Sequence, residues 1–122
     1  MGDKGRVIVG CTHGAEDPDR VAVSYLTAGA ALGQGKDVVM WLSVEGVRLA
    51  LRGYSDQIRA GQEPPVERLH KQFVEQGGRF YVCPICFKER DLPEAELVEG
   101  AELQGATPLM ECAGDGAMTF TY

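Results

Sequence analysis

The sequence lacks an excess of basic residues and any long apolar run. Its 12 lysines and arginines are outnumbered by 18 aspartates and glutamates, which gives a net charge of −6. Nucleic acids and anionic membrane surfaces are bound through basic patches, so this charge argues against both kinds of partner. No apolar run approaches the ~18 residues of a membrane-spanning helix, and the N-terminus lacks the apolar core of a signal peptide. We therefore expect a cytoplasmic protein that binds neither nucleic acid nor membrane.

Nucleotide-binding motifs are also missing. Gly10 and Gly14 flank the first predicted loop, but they do not have the spacing of a dinucleotide-binding turn, and no P-loop occurs. Without a secretory signal, the four cysteines are expected to be reduced thiols or metal ligands rather than a disulfide framework. The 122 residues suit one domain over 1–122, which is large enough to bury a core without cross-links. We predict no cofactor.

The sequence does contain a regular alternation of strand and helix patterns. Apolar runs at 6–11 and 38–42 are typical of strands whose two faces are both covered in a parallel sheet. Between them, Asp17 and Pro18 predict a helix start, because Asp caps free amides and proline suits the first helical position. The later predicted helices lie at 43–51, from 66 to the glycine pair 77–78, at 91–99, and from a cap at Thr107 through about 113. The later predicted strands lie at 79–82, 101–105 and 117–122, and residues 54–65 are predicted to form a polar loop.

This order predicts an α/β fold with helices on both faces of a mostly parallel sheet, because parallel neighbours need right-handed crossover connections. Ligands in such sheets bind beyond the carboxyl ends of the strands. Four loops should meet there, namely 11–14, 43–46, 83–86 and 106–107. Cys11 and His13 would then share an edge with Cys83, and the strand order would decide whether they touch.

The stretch 79–90 carries the most distinctive chemistry. It begins with a predicted strand, and Pro84 then ends strand pairing and suits the first turn of a helix. Cys83 therefore falls at or beside a helix N-cap, where free amide groups and the helix dipole favour an anion. Lys88 and Arg90 add positive charge nearby. Cys83 is the predicted reactive thiol.

Four interpretations of the Cys83-x-x-Cys86 pair are open. As a sulfur carrier, Cys83 would attack a donor persulfide and hold its outer sulfur. As a dithiol redox site, Cys86 would resolve Cys83 into a disulfide. A zinc site would need further cysteine or histidine ligands, since the pair supplies only two. In the fourth interpretation both cysteines are small buried hydrophobic residues at a strand–helix corner.

The remaining cysteines and histidines are weaker candidates. Cys11 ends a buried strand, where packing is the simpler role. His13 could act as a base, or as a donor that polarises sulfur, at Cys83. His70 is predicted to be a half-exposed residue on an amphipathic helix, and Cys112 to face the core or an interface. The candidate catalytic residues are Cys83, Cys86, His13 and Cys11, and we predict no metal ligand.

Three segments resemble the DsrE/DsrF-like family: 16–20 after the first strand, 82–86 after the third and 97–103 before the last helix. That family includes subunits of sulfur relays. The resemblance implies a three-layer α/β/α fold on a parallel five-stranded sheet, usually assembled as a trimer or hexamer. In the relay members a single cysteine after the third strand carries a persulfide, and the matching position here is Cys83. Cys86, three residues on, is a departure from that pattern.

Two functions of different class follow. The first is a small thiol protein that carries sulfane sulfur or cycles a dithiol through Cys83 with Cys86 assisting, and that has sulfur-transfer proteins as partners. The second is a non-catalytic oligomeric binding or scaffold domain, with a structural zinc site on the same pair as a further alternative. We expect a homo-oligomer, because aromatic side chains near element ends leave apolar area for partners to cover. These side chains are Trp41, Tyr54, Phe80 and Phe87.

Overall fold

The fold is built on five strands and four α-helices, described by the computed structural model over residues 5–62 and 64–122. They are β1 (Arg6–Cys11), α1 (Pro18–Gly33), β2 (Asp37–Leu42), α2 (Val66–Glu75), β3 (Arg79–Val82), α3 (Pro84–Glu89), β4 (Ala101–Leu103), α4 (Ala106–Ala113) and β5 (Met118–Thr121). Short 3₁₀ helices lie at Val44–Ala50, Tyr54–Gln57 and Glu94–Glu96. Within these ranges no helix is long and apolar enough to cross a membrane. Residues 1–4, on which the signal-peptide expectation depends, lie outside them.

All five strands are parallel and lie in the order β4-β3-β2-β1-β5, which confirms the predicted α/β fold. The first three crossovers advance in one direction across the sheet, so right-handedness puts α1, α2 and α3 on one face. The crossover from β4 to β5 runs back across the whole sheet and therefore puts α4 on the other face. The Arg6 guanidinium, which donates to the carbonyl of Cys112 in α4, lies on that second face.

The main core lies between the sheet and the first three helices. Its largest fully buried side chains include Tyr25 of α1, Phe73 of α2 and Phe80 of β3, whose rings pack edge-on or tilted at 5.1–6.4 Å. Phe87 of α3 is also only 1% exposed. The expectation that Phe80 and Phe87 leave apolar area for partners is therefore wrong, because both side chains face inward beneath the helices.

Several predicted elements differ from the structure for local reasons. The helix expected at 91–99 is replaced by the 3₁₀ turn Glu94–Glu96, because Asp91 has a positive φ of 52° and Pro93 cannot donate an α-helical hydrogen bond. The last helix begins at Ala106 with Gly105 as its cap, not at Thr107. Pro108 then lies in the first turn, where amides have no helical partner.

Two segments predicted from polarity and length also change. The helix predicted at 43–51 is a 3₁₀ helix over Val44–Ala50 rather than an α-helix, and Ser43 occupies the N-cap without a side-chain hydrogen bond. The loop predicted at 54–65 contains the turn Tyr54–Gln57, and its Ile58 and Ala60 are each 2% exposed. Ile58 and Ala60 are therefore part of the core boundary, on either side of the exposed Arg59.

The half-exposed position predicted for His70 is confirmed, and its ring also joins the aromatic cluster. Its Nδ1 is 2.7 Å from the Tyr25 hydroxyl, and its ring stacks on Phe80 at 5.3 Å. Burial lowers the pKa of His70 from 6.5 to about 4, although Asp56 opposes this shift. The ring is therefore neutral at pH 7, and it joins α2 to α1 through one polar contact in an apolar setting.

A close approach at Gly46 fixes the loop after β2 against the end of β1. A Cβ atom at Gly46 would lie 2.1 Å from the carbonyl oxygen of Cys11, a contact that real side chains do not tolerate. The Ser43 amide donates to the same carbonyl at 3.3 Å. The segment 43–46 is thus held at the carboxyl edge of the sheet by close backbone contact.

We predict that Gly46→Ala lowers the free energy of unfolding by about 2 kcal/mol or more, because the backbone has to shift to relieve the contact. The matched control is Gly29→Ala in α1, where nothing lies within 4 Å of the added methyl group. That control should raise the free energy by about 0.5–1 kcal/mol, since alanine favours a helix over glycine. Urea denaturation measures both, and equal effects would contradict the close contact.

We also predict that acid weakens the fold through His70 before the carboxylates titrate. Between pH 6.5 and 4 the unfolded chain binds a proton that the folded chain excludes, so stability is full above pH 6.5 and falls with pH. From pH 7.5 to 5 the loss should be roughly 2 kcal/mol. His70→Gln keeps an acceptor for Tyr25 but cannot titrate, so its free energy of unfolding should change less over this window. If His70→Gln loses as much free energy of unfolding as the wild type does over this pH window, His70 is not the origin of the acid sensitivity.

Candidate functional site

Cys83 lies at the junction of β3 and α3, as predicted. Its amide donates to the Leu42 carbonyl at 2.9 Å, which extends the pairing of β2 and β3 beyond the last strand residue. Its carbonyl accepts from the Phe87 amide at 3.0 Å, and Pro84 occupies the first helical position. Because α3 has only six residues, its dipole is short, and the sulfur environment depends more on neighbouring side chains and loops.

Cys86 lies one turn further along α3, and both thiols are free and half-buried. The Cys83 sulfur is close enough to Cys86 to affect its pKa. Burial raises the pKa of Cys86, and the Cys83 sulfur raises it further, whereas the Val44 backbone and the Arg90 charge favour the thiolate. On balance the pKa of Cys86 is raised, so its thiol keeps its proton at neutral pH.

Val44 supplies the backbone contact to Cys86 through an unusual conformation. Its φ is 53°, a left-handed value that is costly for a β-branched residue by about 1–3 kcal/mol. The 3₁₀ helix that follows and the contact at Gly46 hold this conformation. Val44 was not predicted from the sequence, because a valine does not indicate a left-handed backbone. It also acts on Cys86 through its backbone amide and not through its side chain.

An ion pair joins the same loop to α3. Arg90 Nε lies 2.6 Å from Glu45 Oε2, and Arg48 Nε lies 2.8 Å from Glu45 Oε1. Hydrogen bonds from Arg90 and then Arg48 lower the pKa of Glu45. Arg90 also donates to the Cys86 carbonyl at 3.1 Å. The positive charge predicted near the cysteines is thus present, and the glutamate that positions it was not predicted.

Cys11 and His13 lie at the same edge of the sheet but are not in contact with the thiol pair. Strand β2 separates β1 from β3, which places the ends of β1 and β3 about 10 Å apart. Cys11 is fully buried, donates to the His13 carbonyl at 3.4 Å and has its pKa raised by burial. His13 Nδ1 lies 2.8 Å from Glu16 Oε2. The candidate site therefore consists of Cys83, Cys86 and the neighbouring loop 43–46.

A structural zinc site has no support in residues 5–62 and 64–122. No group of three histidine, cysteine or acidic side chains in these ranges could hold a metal ion. Cys112 lies in α4 on the opposite face of the sheet, and His70 is held by Tyr25. The cysteine pair thus has no third ligand among the described residues.

Two curated archaeal relatives are similar in sequence, and both are uncharacterised. Protein MJ0760 of Methanocaldococcus jannaschii is 27% identical over 95 residues, or 78% of this chain, but the match spans only 34% of MJ0760. Protein MK0008 of Methanopyrus kandleri is 32% identical over 85 residues, which cover 70% of this chain and 67% of MK0008. The names of these two relatives state no substrate or partner.

The fold has a solved counterpart in the YchN protein of E. coli. The two structures match over the full length of both chains with a TM-score of 0.77 at 19% sequence identity, which shows a shared fold. The model of the DsrE/DsrF-like family matches residues 5–122, almost the whole chain. The resemblance seen in the sequence is thereby confirmed, and this chain belongs to the DsrE/DsrF-like family.

Proposed function

We propose that this protein accepts sulfane sulfur and holds it as a persulfide on Cys83, with Cys86 assisting. The observation that carries the proposal is the placement of two free, half-buried thiols three residues apart, at the N-cap and in the first turn of α3. Sulfur relay in the wider family supports the same chemistry. The partner thiols would belong to sulfur-transfer proteins, which reach Cys83 at the carboxyl edge of the sheet.

The transfer step follows thiol–disulfide exchange. The Cys83 thiolate attacks the outer sulfur of a donor persulfide, a new S–S bond forms at Cys83, and the donor leaves as its thiolate. The Cys86 thiol then lies within reach to donate a hydrogen bond to Cys83. Arg90, tied to Glu45, adds a positive charge beside Cys86.

The competing proposal is a scaffold domain without thiol chemistry. Cys11 and Cys112 supply internal controls, because they are 0% and 8% exposed and lie outside the pair. A scaffold role requires no difference in sulfur uptake among the four cysteines. A carrier role requires that uptake depend on Cys83 alone.

Intact-mass spectrometry after incubation with a persulfide donor tests the carrier role. We expect a species heavier by one sulfur atom when Cys86 is replaced by serine, since no second thiol then competes for that sulfur. Cys83→Ser should abolish the added mass, whereas Cys112→Ser should behave as the wild type. Sulfur that persists in Cys83→Ser, or that never appears in any variant, would overturn the proposal.

We also propose a homo-oligomer, trimer or hexamer, in which a second copy covers β5. Every residue of this edge strand is exposed, including Met118 at 53% and Phe120 at 38%. An almost wholly apolar groove runs between this strand and α1, and Leu26 and Ala30 also line it. An exposed apolar edge strand invites association, and a copy of this chain carries the matching surface.

Sedimentation at micromolar concentration should show an oligomer. Phe120→Glu should shift the protein towards monomer, because a charge would be buried in the apolar contact. Met110→Glu on α4, where the side chain is 61% exposed on the opposite face, is the matched control and should not change the sedimentation. A wild-type monomer would rule out the oligomer.

A further inference from the structure

We infer that Cys86 turns the sulfur-accepting site into a sulfide-releasing one. In this reaction Cys86 reduces the persulfide on Cys83 to sulfide and leaves a Cys83–Cys86 disulfide. The inference rests on the proposed function, because it needs a persulfide on Cys83 as its starting point. It adds a chemical outcome that a carrier with a single cysteine cannot have.

The positions of the two cysteines allow a disulfide without backbone movement. Cys83 is the N-cap of α3 and Cys86 lies in its first turn. Residues three apart across the first turn of a helix have Cα atoms about 5 Å apart, within the roughly 4.4–6.8 Å that a disulfide spans. Both thiols are free and half-buried, so rotation of the two side chains brings their sulfurs towards each other.

The atom that Cys86 attacks decides which product leaves. In a Cys83 persulfide the inner sulfur is the Cys83 Sγ atom, which lies across the first turn of α3 from Cys86. Attack on the inner sulfur forms the S–S bond between the two cysteines and breaks the bond to the outer sulfur. The outer sulfur leaves as hydrosulfide with the electron pair of the broken bond.

The proton and electron balance closes within the pair. The persulfide anion and the Cys86 thiol give one disulfide and one HS⁻, so the Cys86 proton ends on the leaving sulfur. The sulfane sulfur gains two electrons, and the two cysteine sulfurs together lose two. Cys86 holds this proton at rest, and the Val44 backbone and Arg90 stabilise the thiolate that attacks.

Turnover requires a dithiol reductant that opens the new disulfide by exchange. The surface around the pair is accessible and apolar, since Ile85 between the cysteines is 70% exposed and Val44 is 46% exposed. A dithiol can therefore reach Cys83, the half-buried first cysteine. Without a reductant the site stops after one sulfide, and the reaction can be followed as a single turnover.

A single-turnover experiment with Cys86→Ser tests the inference. Reduced protein, freed of reductant, is incubated with one equivalent of glutathione persulfide, and released sulfide is trapped with monobromobimane while intact mass is recorded. We expect the wild type to release about one equivalent of sulfide and to lose the mass of two hydrogens. Cys86→Ser should retain the added sulfur and release sulfide at least tenfold more slowly, with Cys83→Ser as the background.

The outcomes distinguish a failure of the sulfide-release step from a failure of the proposed sulfur-carrier function. If the wild type keeps a persulfide as long as Cys86→Ser does, the release step is wrong and the carrier role stands. If Cys86→Ser takes up no sulfur although its circular dichroism is that of the wild type, the carrier role itself fails. Peptide mapping of the wild type gives an independent readout, since a disulfide to Cys11 or Cys112 in place of Cys83–Cys86 would overturn the inference.

Discussion

The site depends on where the segment 43–46 is held at the carboxyl edge of the sheet. Gly46 lies against the Cys11 carbonyl, which leaves no space for a side chain. That contact fixes Val44 in a left-handed conformation with its backbone towards Cys86. Glu45 binds Arg90 and ties α3 to the same segment. These three consecutive residues thus bring a backbone group to Cys86 and an ion pair to α3.

The chemistry of the pair comes from an asymmetry between two identical side chains. Cys83 ends a strand ladder, whereas Cys86 lies one turn further on, where burial raises its pKa. In the proposed function Cys83 accepts sulfur, whereas Cys86, whose pKa burial raises, keeps its proton. The cation of Arg90 and the Val44 amide limit the cost of removing that proton, so the roles are set by environment rather than by residue type.

Much of the fold could be predicted because its signals are local. The apolar runs of β1 and β2 and the cap at Asp17 appear in the structure where the sequence placed them. The acidic helix expected at 91–99 did not form, because Pro93 and the left-handed Asp91 interrupt it. The ring contacts of His70 were not predicted for a different reason, since no local pattern indicates a stack on Phe80 from another element.

The sequence by itself determined the parallel α/β fold and the place of Cys83 at a strand–helix junction, because periodicity, proline and cap chemistry act over a few residues. Only the tertiary structure decided that neither Cys11 nor His13 contacts that sulfur. Strand order sets this outcome, since β2 lies between β1 and β3. The backbone conformation of Val44 was likewise fixed by packing against residues distant in the chain, which no local pattern encodes.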